Sequence, residues 1–312
     1  MKQSTFANFS LALSLSICAF GFVACQQDKN DPSLTSDSNP APASTVLKSI
    51  DYIDWTDVRL GCEARALYGA MESAAQKLKD YSLYIFPEPG QKISNDIVGT
   101  EWDYHVAPIF SENGGLRMLD KAFSEEVLTI PKWIKKVDSD WIEGKKYRML
   151  LAPGSFFTRS ETYENSDADY EVHYNLYSED WRNHPPGTAV FESADQLTKA
   201  VPELPLKDLR RPKFSPWDIM GSCGALSSSI SKAKKSPAPL IERTKELLVK
   251  LRNQGLLGHG EPKVLYGEID ACHLIDGLTP SEIQPMCAFL TKIKTALPTT
   301  DFKDFPFQKY CR

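Results

Sequence analysis

Residues 60–70 read LGCEARALYGA. A glycine, Gly61, precedes a cysteine, Cys62, which opens a run of good helix formers. Leu67, Ala70, Met71, Ala74 and Leu78 recur at helical spacing, which predicts a helix from Cys62 onward with one apolar face. A cysteine in the first turn of a helix lies beside backbone N–H groups whose partial positive charge favours the thiolate. Cys62 therefore has three readings: a nucleophile, half of a disulfide, or a small core residue.

The start of the chain bears on the second of these. Residues 1–24 carry one early cation, Lys2, and then the apolar stretch FSLALSLSICAFGFVA, the pattern of a secretory signal that is excluded from the fold. It ends in Phe22-Val23-Ala24-Cys25, which resembles the lipobox of bacterial lipoproteins. That resemblance implies that Cys25 becomes the lipidated first residue of the mature chain, on acyl chains worth about 0.8 kcal/mol per buried methylene. Gln26 follows, where an aspartate is associated with inner-membrane retention, so outer-membrane placement is expected. Residues 25–45 are rich in Pro, Ser, Asn and Asp, bury too little apolar surface to fold alone, and read as a disordered tether. The remainder, of ordinary composition, is long enough for a sizeable core. It has no second apolar run long enough to span a membrane. A net charge of −5, with no basic stripe interleaved with aromatics, argues against general nucleic-acid binding.

There are seven cysteines. With Cys18 lost in the leader and Cys25 lipidated, Cys62, Cys223, Cys272, Cys287 and Cys311 remain. Disulfides persist in an exported protein. Two bridges among the four C-terminal cysteines would leave Cys62 as a free thiol, although sequence does not choose among their pairings.

A nucleophilic cysteine needs a base and a group that orients the base. Of five histidines, His105 stands in GTEWDYHVAPIF, a segment with strand character. SENGG follows, with the Asn-Gly pair of a tight hairpin, and then LRMLDKAF reads as a second strand. On that strand Leu116, Met118 and Asp120 would share one face, and Arg117 and Leu119 the other. An antiparallel neighbour lies about 4.8 Å away, so the Asp120 carboxylate is within reach of His105. A helix-opening cysteine, a strand histidine and an aspartate on the next strand follow the papain-like and transglutaminase-like plan.

These residues also resemble one family in particular. GCEARA is similar to the Gly-Cys-aromatic-Ala-Arg-Ala segment of the bacterial protein-glutaminase (protein glutamine deamidase) family, and WDYHVA to its Trp-x-Tyr-His-Val-Ala segment. MLDKAF with LTIPKW resembles its apolar-apolar-Asp-x-x-apolar segment with a later tryptophan, here Trp133. The likeness covers residues 55–135 well, 145–180 loosely, and nothing after about 200. It implies a catalytic triad of Cys62, His105 and Asp120. It also implies an α+β fold, a papain/transglutaminase-like core with an antiparallel sheet packed on the nucleophile-bearing helix. The implied activity is hydrolysis of the side-chain carboxamide of protein-bound glutamine to glutamate, through a thioester and with release of ammonia. The implied partners are proteins or peptides bearing glutamine, with no cofactor and no metal. Glu63 stands where the family tends to have an aromatic, and Arg65 is open to pairing with it or with another carboxylate. The same triad chemistry also serves a cysteine protease or a transglutaminase, and an idle triad would leave a non-catalytic surface-binding lipoprotein.

The expected organisation is a signal peptide over 1–24, a tether over 25–45, a catalytic domain over 46–200 and a mainly helical C-terminal extension over 201–312. In that extension PLIERTKELLVKLR places Leu240, Leu247, Leu248 and Leu251 on one face. Thr279 and Glu282 form a capping box ahead of a helix that Pro285 would strain or shift. SSSISKAKKS, near 227–236, reads as an exposed basic linker. NSDADYE, residues 165–171, begins like a calcium loop but has Tyr170 and Leu176 where glycine and glutamate are needed, so it reads as a solvated acidic loop. The other histidines have no partner at metal-ligand spacing.

Overall fold

The computed structural model describes residues 43–56, 61–78, 81–88, 90–112, 115–142, 145–155, 189–200, 213–258, 271–296 and 307–311. The leader and Cys25, the Asn113-Gly114 turn, the acidic loop at 165–171, and His173, His184 and His259 lie outside them. Among the described residues no helix is long and apolar enough to cross a membrane.

After a short helix α1 (Ala43–Ser49), the cysteine-bearing segment forms α2 (Cys62–Ala75). Gly61 precedes it with φ +80°, a left-handed conformation that costs a glycine nothing. Its carbonyl accepts the first helical bond, from the Arg65 N–H at 3.0 Å. The expectation of a single apolar face is corrected: every residue from Ala64 to Ala74 is buried, Arg65, Glu72 and Ser73 included. The helix is covered by a sheet on one side and by other helices on the other.

The sheet is built from β1 (Tyr81–Pro87), β4 (His105–Glu112), β5 (Gly115–Met118), β6 (Tyr147–Pro153) and β7 (Ala189–Phe191), with β2 (Ile93–Asn95) and β3 (Thr100–Trp102) forming a separate hairpin. Its order is β5-β4-β1-β6-β7, and every pairing is antiparallel. Alternation along β1 and β4 sends side chains to two cores. Leu83, Ile85, Ala107 and Ile109 join a cluster with Trp133 and Ile134 of α3 (Ile130–Val137), on the face away from α2. Tyr84, Phe86 and Val106 turn the other way and pack with Ala66 of α2. Buried on both faces, β1 carries a continuous apolar run instead of an apolar–polar alternation.

The short helix α4 (Ala194–Ala200) follows β7. Behind α2 lie α5 (Pro216–Lys232) and α6 (Ala238–Asn253), followed by α7 (Pro280–Ala296) and the short α8 (Phe307–Tyr310). Leu67, Tyr68 and Met71 of α2 share one core cluster with Ile219, Cys223, Leu247, Leu251 and Leu290. The polar residues of α2 are matched on this side. Glu72 takes two bonds from Arg243 of α6, Nε–Oε1 and Nη2–Oε2, both at 2.7 Å, and Tyr68 Oη lies 2.6 Å from Thr244 Oγ1. The expected apolar face of α6 is present, with Leu240, Leu247, Leu248 and Leu251 buried. Glu282 Oε2 accepts the Thr279 N–H at 2.8 Å, as the capping box requires, and Pro285 lies inside α7. The reading of 227–236 as a linker is corrected: residues up to Lys232 continue α5, with Ser227 and Ile230 buried, because the serines occupy a helix already anchored by its apolar side. Disulfides join Cys223 to Cys272 and Cys287 to Cys311, and among the described residues Cys62 is the free cysteine.

Candidate active site

Three elements bring the three residues of interest together. Cys62 is the first residue of α2, His105 the first of β4, and Asp120 follows the end of β5. The hairpin register sets the last two: Ile109 pairs with Met118 and Phe110 with Arg117. Counting back along β4 brings His105 alongside the chain as it leaves β5. The second strand is shorter than expected and ends at Met118. Met118 instead closes a bridge to Leu128, and the carbonyl of Asp120 accepts the N–H groups of Phe123 and Ser124, each at 3.0 Å. Asp120 is thus a turn residue just beyond the ladder, because its carbonyl closes that turn.

His105 Nε2 lies 2.8 Å from Asp120 Oδ2, with the two residues 1 % and 5 % exposed. The same carboxylate oxygen accepts the indole N–H of Trp133 at 2.9 Å. Trp102, Phe123 and Trp133 surround the imidazole, with ring centroids 5.7, 5.4 and 5.8 Å from it. Burial alone would lower the His105 pKa. The charge and hydrogen bond of Asp120, followed by the nearby Cys62 thiol, outweigh it and raise the pKa to about 9. His105 Nδ1, the ring nitrogen not bonded to Asp120, is buried without a hydrogen-bond partner, and the Cys62 thiol lies near the ring. Cys62 itself is half-buried and, with Tyr104 and Val190, packs against the apolar cluster that holds Ala66, Tyr84, Phe86 and Val106.

The residues flanking the pair are also tied. Tyr104, before His105, donates its hydroxyl to Glu63 Oε1 at 2.5 Å, and Glu63 follows Cys62. Arg65 lies over the Trp55 ring at 5.8 Å. The aromatic wall of His105 was missed in the sequence reading. Trp102, Phe123 and Trp133 stood there only as motif letters, with no sign that they meet around the imidazole. The side chains capable of holding a metal form no cluster of three among the described residues.

A family model described as Glutaminase matches residues 39–137, a segment that holds all three motifs, and the resemblance to the protein-glutaminase family is borne out there. Among solved structures, the chain is similar to the NMR structure of protein-glutaminase from Chryseobacterium proteolyticum, at 14% identity and a TM-score of 0.31, covering 44% of this chain and 88% of that one. No curated protein matches.

Proposed function

We propose that this chain is a cysteine amidohydrolase that deamidates protein-bound glutamine, with Cys62 as nucleophile, His105 as acid and base, and Asp120 as the group that holds the imidazole. The observation that carries this reading is the buried His105–Asp120 pair at 2.8 Å, set beside a half-buried free thiol at a helix start. Support comes also from the glutaminase match over residues 39–137.

In this mechanism the Cys62 thiolate, paired with protonated His105, attacks the carboxamide carbon of a glutamine side chain. Backbone N–H groups in the first turn of α2 receive the developing oxyanion. His105 gives its proton to the leaving nitrogen, ammonia departs, and a thioester to Cys62 remains. A water molecule then gives a proton to His105 and attacks the thioester, the carbon–sulfur bond breaks, and glutamate leaves. Asp120 keeps Nε2 of His105 occupied, so that Nδ1 is the nitrogen left to exchange protons with the thiol and the substrate.

The same reading keeps the papain/transglutaminase-like core, with residues 46–200 as the catalytic region and 201–312 as a helical region that shares the core around α2. It places the chain on the outer membrane through a lipidated Cys25 and the polar tether that leads to α1. Ammonia release from a glutamine-containing protein, with peptide mapping of the product, tests the activity on the purified chain and its Cys62→Ala variant. The expected result is a gain of about 1 Da at each modified glutamine, lost in the variant. Cleaved chains or crosslinked products would replace the reading with a protease or a transglutaminase.

A further inference from the structure

Asp120 Oδ2 is shared. It takes His105 Nε2 at 2.8 Å and the Trp133 indole N–H at 2.9 Å. Trp133 is fully buried in α3, and its ring lies against the imidazole at 5.8 Å with a tilt of 36°. Asp120 itself sits in a turn outside the β4–β5 ladder, so no strand pairing holds its carboxylate in place. The indole N–H supplies a second bond of defined direction to the oxygen that faces His105.

We propose that Trp133 is a positioning residue: through its N–H it fixes the Asp120 carboxylate against His105, and so sets the pH range over which the Cys62–His105 pair is reactive. This rests on the reading of Cys62 and His105 as a reactive pair. The titratable groups acting on His105 are Asp120, from the turn after β5, and Cys62, from α2. Glu63 and Tyr104, bonded to each other, flank the pair. β3, the turn at Phe123 and α3 present aromatic rings to the imidazole. A carboxylate held by one bond fewer is free to turn, and a histidine that loses its fixed partner falls back toward its ordinary pKa.

The test is the pH profile of Cys62 alkylation by iodoacetamide, which requires no substrate. Trp133→Phe keeps an aromatic ring and removes the N–H. Expected is a fall of half a pH unit or more in the upper inflection of the profile, which reports His105, and no further change when Trp133→Phe is added to Asp120→Asn. An unmoved inflection, an upward shift, or an equal shift in the Asp120→Asn background would overturn the proposal. If Trp133→Phe does not fold, the indole N–H resonance of the wild-type chain serves instead: it should move with the same midpoint as the His105 ring, and a resonance indifferent to that titration overturns the idea. Slow alkylation of wild-type Cys62 at pH 6 would sink the functional reading and this proposal together. A fast wild type with an unmoved variant sinks the proposal alone.

Discussion

At the scale of single residues, the proposed chemistry rests on how a buried histidine is kept charged. Desolvation of His105 opposes protonation, and the Asp120 carboxylate opposite Nε2 reverses that preference. Because the folded-state pKa, about 9, lies above the ordinary value of 6.5, the stabilisation due to the charged ring is complete below about pH 6.5 and is lost as pH rises through 9. The Asp120→Asn variant should therefore be less stable than wild type by the widest margin near pH 6, and the gap should narrow toward pH 9.5. Thermal melts of both proteins across that range check it. A constant gap would mean that the loss does not come from the charge on His105, since the backbone bonds of the Asp120 turn are kept by the asparagine. Glu63 belongs to the same scale. Its bond from Tyr104 ties the residue after the cysteine to the residue before the histidine, so both sides of the pair are braced at one point.

At the scale of elements, the decisive contact is α2 against β4. Gly69 faces Pro108, and a Cβ placed on Gly69 would come within 2.5 Å of the Pro108 ring. A proline ring in a paired strand cannot swing aside as a long side chain does. Ordinarily, Gly→Ala inside a helix gains about 1 kcal/mol. Here overpacking, typically about 1–3 kcal/mol, acts against that gain. Gly69→Ala is expected to destabilise the chain and to loosen the seat of Cys62 relative to His105. Urea denaturation measures the first effect and the Cys62 alkylation rate the second. An alanine variant as stable as wild type would show that the two elements separate without cost.

At the scale of the whole molecule, α2 is the layer shared by the helical core and by the cluster on the near face of the sheet. The sheet covers one side of it, and α5 and α6 cover the other. Glu72 is buried and depends on Arg243 from a helix far along the chain, an arrangement whose loss leaves an unpaired interior charge. The C-terminal helices therefore form part of the support for the helix that carries Cys62, the proposed nucleophile, and two disulfides pin them. The proposed anchor belongs to this scale too. A lipid on Cys25 would let the folded body stand off the membrane on its tether. Labelled palmitate should enter the chain in a bacterial host and be lost in Cys25→Ala, with the variant moving from the membrane fraction to the soluble one. Label retained in the variant would remove Cys25 as the lipidated residue.

The sequence by itself determined the local pieces: a helix opening at Cys62, strand character at His105, an Asn-Gly hairpin signal leading to Asp120, the amphipathic α6 and the capping box at Thr279. Each depends on spacing along a few residues, which periodicity and turn chemistry expose. Cysteine parity pointed to the free Cys62, but the pairing of Cys223 with Cys272 and of Cys287 with Cys311 required three-dimensional distances. Tertiary structure alone decided that α2 is buried on all sides, that the serine-rich end of α5 is helix, and that β5 stops at Met118. It alone gathered Trp102, Phe123 and Trp133 around His105, because burial and shared hydrogen bonds arise between residues whose nearness no local pattern records.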